Sequence, residues 1–443
     1  MRGPISPKRI AVVGGGVSGL VAAAELHATG HDVNLFEAGG HPGGHSNTID
    51  VETENGPLAV DTGFIVFNNR NYPNFERLLS ELAVPSQPAS MSFSVSDDRG
   101  DFEWATRGLL TRPAHLLDRR FRRMLLDLVR FNREARVLIG AASDGPSLRR
   151  FLAEGSYSDY FIERLLVPQV AAVWSADPEQ LWRFPAAFLA EFFENHGVLQ
   201  LMGRPRWRTI PGGARRYVEA LIAPFHGRVH LRSPVRRIVR GADSVSLVLD
   251  GEIHEFDEVV IATHSDQALR MLGDPTPAER AVLGAIPYQR NEAVLHTDAG
   301  LMPRRRSAWA SWNYHLTERP TGRTTVTYDM NRLQSLEADR DLLVTLNRTE
   351  AIDPGRVIRV IDYAHPVFTP EGVTAQSRWP EISGQRRTHY CGSYWRWGFH
   401  EDGVWSALRV SHALGGRGPI DTPLPDREEA AAAAEVRELA RAA

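Results

Sequence analysis

Arg9-Ile-Ala-Val-Val-Gly14-Gly15-Gly16-Val17-Ser18-Gly19 is the stretch that decides the fold. Residues 9–14 are short, apolar and β-branched and end in glycine, the pattern of a buried parallel strand. From residue 17 to 29, Val17, Leu20, Val21, Ala24 and Leu26 recur among alanines as a helix built for close packing, and Gly30 stops it. Residues 32–37 (Asp-Val-Asn-Leu-Phe-Glu) read as a second strand. Together they make one strand–helix–strand unit of about 30 residues.

Gly14, Gly16 and Gly19 satisfy G-x-G-x-x-G. Gly14 permits the tight turn, Gly16 lets a pyrophosphate approach the backbone, and Gly19 lets helix and strand pack closely. The helix start at Val17 and Ser18 turns free N–H groups and a positive dipole end toward phosphates. Glu37, closing the second strand, places a carboxylate where ribose hydroxyls donate. Ala38-Gly-Gly-His-Pro-Gly43-Gly44-His45 follows at once. A nicotinamide domain would pass straight to another strand–helix repeat. A second close backbone approach suits a longer, extended dinucleotide, so the expected cofactor is FAD, held non-covalently. Downstream, Pro234-Val235-Arg236-Arg237-Ile238 reads as a strand bordering the adenine, and Glu258-Val-Val-Ile-Ala262 as the strand that closes this domain.

The bulk numbers are those of a globular chain: 443 residues, 42% hydrophobic, 24% charged and a net charge of −3. The length supports two or three domains, and the charge gives no reason to expect nucleic acid. Lys8 is the only lysine, so no lysine beyond it can be a catalytic group. Cys391 is the only cysteine, which excludes intramolecular disulfides and cysteine-rich zinc sites, and no metal site is expected. A cytoplasmic location is expected, because residues 1–9 hold no apolar leader and no run of 18 apolar residues exists.

Between the cofactor segments the chain changes character. Over 105–140, Leu117, Phe121, Met124, Leu125 and Leu128 recur at helical spacing among Arg119, Arg120, Arg122, Arg123 and Arg130. That is a basic amphipathic helix, either a solvated face or a peripheral contact with anionic lipid at the inner face of a membrane. Residues 158–202 read as mainly helical and aromatic, 228–240 and 244–264 as strands, 323–330 as a strand, and 388–395 as a short strand. Near the C-terminus, Gly392-Ser-Tyr394-Trp395-Arg-Trp397-Gly398-Phe399-His400-Glu401-Asp402-Gly403 leads into a helix from about residue 403 to 414. The Ala/Glu/Arg-rich tail carries no expected chemistry.

These pieces resemble the flavin amine-oxidase-like superfamily, which includes amine oxidases, phytoene-type desaturases and protoporphyrinogen oxidase. The resemblance spans essentially the whole chain. It implies an α/β (α+β overall) architecture: a Rossmann-type FAD domain from residues 1–90, 205–285 and 385–425, interleaved with a substrate or cap domain from 91–204 and 286–384, then a tail at 426–443. It also implies that the turn holding Gly392, Gly398 and Phe399 lies beneath the flavin. Glu401 or Asp402 would then bind the ribityl chain, and the Gly403 and Val404 amides would face the ring. A narrower likeness is carried by Asp61-Thr-Gly-Phe-Ile-Val-Phe-Asn-Asn, Phe192-Phe-Glu-Asn-His-Gly-Val-Leu-Gln and Trp207-Arg-Thr-Ile-Pro-Gly-Gly. These look like bacterial predicted NAD/FAD-binding proteins associated with cyclopropane-fatty-acid-synthase-like methyltransferases. That likeness implies an unsaturated or methylated acyl substrate and a lipid methyltransferase partner. The sequence departs from the amine-oxidase pattern in two places. His45 stands where a second arginine is usual, and no lysine is available to serve beside flavin N5.

Oxidation of a C–H bond by hydride transfer to flavin N5 needs a hydride acceptor, which the cofactor supplies, and a base for a second proton. His400 and His196 are the candidate bases. His196 equally suits a helix cap, and His400 a positioning role. Trp174, Phe192, Trp207, Tyr394, Trp395 and Trp397 are the candidate walls of an apolar pocket. The expected activity is an FAD-dependent dehydrogenase, desaturase or isomerase acting on a lipid or other apolar small molecule. Amine oxidation and a non-catalytic flavoprotein are the alternatives.

Overall fold

A five-stranded parallel sheet forms around the strand Arg9–Val13. Asp32–Phe36 and Glu258–Ile261 flank it, and Val229–His230 and Thr388–Tyr390 make the edges. The structure is a computed structural model and describes residues 6–106, 113–140, 145–200, 205–318 and 322–420. Alternate side chains of the first strand enter different cores. Ile10 and Val12 join Leu20, Val404 and Ala407, whereas Ala11 and Val13 join Ile238, Val245 and Leu247. A parallel sheet is covered on both faces, which is why its strands read as unbroken apolar runs.

On one face the helices Val17–Ala28 and His400–Ala413 pack together. Gly403 sits at their crossing, where a Cβ would fall 2.7 Å from Val17 Cγ1 and 2.9 Å from Ser18 Oγ. The other face carries the antiparallel meander Arg237–Arg240, Val245–Val248 and Ile253–Phe256. A second, seven-stranded sheet runs in the order Val357–Pro366, Tyr288–His296, Leu343–Leu346, Val326–Asp329, Trp312–Leu316, Phe93–Asp97, Glu103–Ala105. All its pairings are antiparallel except that of Trp312–Leu316 with Phe93–Asp97. Its core is shared with the helices Arg119–Glu134, Val167–Trp174 and Ala186–Asn195, through Phe121, Phe131, Val170, Phe192 and Phe193.

Several sequence-based boundaries move. The expected strand 228–240 breaks after His230, because Arg232 adopts φ 52 and Pro234 has no N–H to pair. The segment holding Val235 is therefore a loop, not a strand. The expected strand 244–264 is three strands, with Gly251 turning the first connection at φ 86. The strand expected over 388–395 ends at Tyr390, and Ser393–Trp395 is a 3₁₀ turn. The last helix starts a turn early, at His400, because the Asp402 carboxylate accepts from the Phe399 N–H at 2.9 Å and caps it. The basic helix occupies Arg119–Glu134 only, after a strand and a 3₁₀ turn at Pro113–Leu117. The tail at 426–443 lies outside the described residues. Among the described residues, no helix is long and apolar enough to cross a membrane.

Candidate active site

The glycine-rich turn and the seven-stranded sheet meet at a cavity of about 690 Å³. At one end stand Gly14, Gly16, Val17, Ser18, Glu37, Ala38, Gly43, Gly44 and Val235. Each glycine of the motif has its own physical reason. Gly14 sits at φ 106, beyond the reach of most side chains. A Cβ on Gly19 would lie 1.8 Å from the Gly14 carbonyl oxygen. A Cβ on Gly16 would meet no protein atom within 4 Å, so it opens on the cavity. The helix that follows has no side-chain cap and no acid in its first turn, so its N-terminal amides are left for an anion. Gly43 ties the second glycine-rich stretch to the first, its N–H donating to the Gly15 carbonyl at 2.7 Å. Glu37 accepts from the Gly15 and Gly39 amides at 2.7 and 2.6 Å, which fixes its carboxylate on the wall. These residues fit an extended dinucleotide: a bare backbone for the pyrophosphate and a fixed acid for the ribose.

The rest of the cavity is aromatic and uncharged. Trp174, Trp207, Trp312, Tyr328, Tyr363, Phe368, Phe64 and Phe399 line it with Ile65, Val66, Val173 and Leu346. Among the described residues, Glu37, Arg236 and Arg270 are the only lining groups with a formal charge, leaving histidines aside. All three belong to the segments around the dinucleotide end. Lys8 lies elsewhere, paired with Glu258 at 2.6 Å.

Four histidines line the cavity: His45, His264, His365 and His400. His45 stacks on Tyr363 with centroids 4.6 Å apart and meets His365 edge-on at 5.1 Å. His264 stacks on Tyr288 at 4.4 Å. His365 Nδ1 accepts from Asn291 Nδ2 at 2.8 Å, which assigns its proton to Nε2. His400 stacks flat on Phe64 at 3.6 Å, and its Nε2 lies 2.7 Å from the Tyr217 hydroxyl and 3.4 Å from Ser46 Oγ. Burial holds His400 down to about 3 and His365 to about 4. Burial, then His365, His264 and His400, depress His45 well below its ordinary value. The imidazoles are therefore neutral and keep a lone pair.

The remaining sequence-based site residues fall into two groups. Gly392, Gly398, Phe399, Tyr394, Trp174 and Trp207 line the cavity. Glu401, Asp402, Gly403, Val404, Gly19, His196, Phe192, Trp395 and Trp397 do not. Both acids of the expected ribityl contact have hydrogen-bond partners within the chain. Glu401 accepts from Asn74 N and Nδ2 and from Phe75 N, capping the helix Pro73–Glu81, and Asp402 is spent on the Phe399 amide. The Gly403 amide donates to the Phe399 carbonyl at 3.2 Å within its own helix. Val404 is buried in the core between the two helices. His196 stacks on Phe192 at 3.9 Å and its Nδ1 bonds the Phe192 carbonyl, so it caps the helix Ala186–Asn195. Trp395 packs in the core below the sheet, and Trp397 lies under Arg396 while its carbonyl accepts from Trp174 Nε1.

Sequence reasoning passed over Trp312, Tyr328, Tyr363, His365, His264 and Tyr288. Tyr363 and His365 are two apart on one strand and so share a face, and Trp312 and Tyr328 are directly opposed across a strand pair. That period-two spacing was present, but it becomes a signal only when the strand is known to face a cavity.

The buried groups set an acid limit on stability. His196, His296 and His365 are held down to about 4 and His315 and His400 to about 3, all by burial, below their ordinary 6.5. Their stabilising contribution is present above 6.5 and is lost as pH falls toward 4. Burial pushes Asp61 and Glu401 up to about 7, Asp402 to about 6, and raises Asp329. Their contribution has the opposite sense, present at low pH and lost as pH rises through 6 to 7. With His45, the lowered imidazoles outnumber the raised carboxyls. The melting midpoint is expected to rise from about pH 4.5 to about pH 6.5. A melting series over that interval checks it, and a flat or falling midpoint contradicts it.

Comparison with known proteins agrees with this geometry. The profile of the family described as flavin-containing amine oxidoreductase matches residues 17–297. A protein named as a flavin-containing monoamine oxidase, AofH, of Mycobacterium tuberculosis is 25% identical over 315 residues, 68% of this chain and 65% of its own length. The chain thus matches just under two thirds of that relative. Cyclohexylamine oxidase from Brevibacterium oxydans superposes with a TM-score of 0.66 at 17% identity, covering 92% of this chain and 99% of the other. A fatty acid isomerase from P. acnes that produces CLA gives 0.66 at 16% identity, with 91% and 98% covered. These two likenesses show a shared fold. With more than half its length matched by the family profile, and with a dinucleotide cradle opening on an aromatic cavity, the chain belongs to the flavin-containing amine oxidoreductase family.

Proposed function

We propose that the chain dehydrogenates, desaturates or isomerises an uncharged, lipid-like acyl chain in the aromatic part of the cavity. One observation carries this reading. Beyond the dinucleotide end, the described walls present aromatic rings, aliphatic side chains and neutral histidines, with no carboxylate, lysine or arginine. A charged substrate group would enter there without a counter-ion, at a cost of several kcal/mol. An apolar chain gains by the same transfer. The shared fold of the P. acnes fatty acid isomerase supports the reading.

In this reading Gly14, Gly16, Val17 and Ser18 hold the pyrophosphate, Glu37 the ribose and Val235 the adenine, with Ala38, Gly43 and Gly44 alongside. FAD, when bound, supplies the hydride acceptor. The chain itself excludes water with aromatic walls and offers neutral imidazoles that can take a proton from the substrate. His45, whose buried Nε2 has no hydrogen-bond partner among the described residues, is better placed for this than His365, whose Nδ1 lone pair is taken by Asn291, or His400, whose Nε2 is engaged by Tyr217.

A second reading is oxidation of an amine in its neutral form. The aromatic walls and the monoamine oxidase name of a relative favour it. Anaerobic titration of the yellow protein separates the two. Unsaturated or methylated acyl esters are expected to bleach or shift the flavin band or to emerge isomerised, with primary amines inert. Bleaching by amines alone, with acyl esters recovered unchanged, overturns the acyl reading.

A further inference from the structure

We propose that the outer face of the helix Arg119–Glu134, with the turns on either side, docks on an anionic lipid surface. Eleven large hydrophobic residues are exposed among those described, and five of them fall in this one segment: Leu116, Leu117, Leu126, Val129 and Val137. Leu117 is 83% exposed, Leu126 67% and Val129 63%. Such clustering on a surface otherwise free of it marks a contact.

The helix geometry puts apolar and cationic groups on the same side. Phe121, Met124, Asp127 and Phe131 are buried against the core. Arg119, Arg122, Leu126, Val129 and Arg133 recur at three- and four-residue spacing on the opposite side and are all exposed. Arg123 flanks them. Little negative charge offsets this face. Asp127 is buried and bonded to Arg123 and Ser158, Glu134 accepts from the Tyr157 hydroxyl, and Asp118 caps the helix by accepting from the Arg120 amide.

That combination selects the occupant. The centre of a protein–protein contact is enriched in aromatic residues, whereas this face alternates leucine and valine with arginine and carries no aromatic ring. A helix lying in a bilayer surface needs this arrangement: apolar side chains dip below the headgroups while arginines meet their phosphates. The contact follows from the exposed face alone and holds for any substrate, so its failure leaves the acyl reading standing.

The test is co-sedimentation of the FAD-loaded full chain with vesicles of phosphatidylcholine, and of phosphatidylcholine mixed with phosphatidylglycerol. Binding is expected to the mixed vesicles, weakening as salt is added. It should fall about tenfold or more in Leu117→Glu/Leu126→Glu/Val129→Glu, and comparably in Arg119→Ala/Arg122→Ala/Arg133→Ala. All these positions are on the surface, so flavin content and melting should stay unchanged. No binding, equal binding to both vesicle types, or binding that neither variant alters overturns the proposal. A dimer that the apolar variant dissociates, without vesicle binding, assigns the face to a second copy and overturns it too.

Discussion

Gly16→Leu is expected to give a folded but colourless protein. Gly16 has ordinary extended backbone, φ −73 and ψ 178, and a Cβ there would touch no protein atom within 4 Å. The fold therefore tolerates the side chain. The space it fills is the one the pyrophosphate needs, in front of the uncapped helix start. Loss of two charge-assisted amide contacts at about 1.5–3 kcal/mol each weakens FAD binding by roughly two to four orders of magnitude. The flavin band and the melting curve check it together: wild-type flavin occupancy at wild-type stability would contradict the assignment. Gly19 lies three residues on, yet its substitution fails differently, because its Cβ would strike the Gly14 carbonyl oxygen and disturb the fold itself.

Glu401→Ala is expected to lower stability and leave FAD affinity intact at temperatures well below the melting midpoint. Glu401 is buried, and its two oxygens accept from Asn74 N at 3.1 Å, Asn74 Nδ2 at 2.6 Å and Phe75 N at 2.9 Å. Removing it orphans three buried donors at about 1–3 kcal/mol each, so a loss of roughly 3–9 kcal/mol is expected. For a chain of this length that is a fall of about 3–10 °C in melting midpoint. Glu401→Gln should recover part of it, since an amide oxygen still accepts. A variant that melts normally but releases FAD would return Glu401 to the cofactor role that its motif position first implied.

What the sequence makes legible follows from how local the physics is. The strand, glycine turn, helix and Glu37 lie within one short segment, and each residue's function there is set by neighbours in the chain. The strand, helix and second strand read there coincide with those of the structure. Glu401 and Asp402 were placed beside a cofactor by motif position, yet their partners are a helix start at Asn74 and an amide three residues back. A carboxylate at a helix N-terminus looks the same in sequence whether it binds a ligand or caps the chain. The aromatic chamber was least legible. Trp312 and Tyr328 come from strands buried on both sides, and Tyr363 and His365 from the edge strand of the same sheet, whose period-two spacing does not by itself say which face meets a cavity. Trp395 and Trp397 sit beside the same glycine-rich turn as Tyr394, but the 3₁₀ turn Ser393–Trp395 sends only Tyr394 to the cavity.

The central claim is that the glycine-lined end of the cavity holds FAD without a covalent bond, and the most direct measurement is the flavin content of the purified, denatured protein. The account predicts a yellow protein that releases FAD, close to one per chain, into the supernatant and leaves a colourless pellet. A protein that is colourless as purified and cannot be reconstituted with FAD, or one whose flavin stays with the denatured chain, would contradict it.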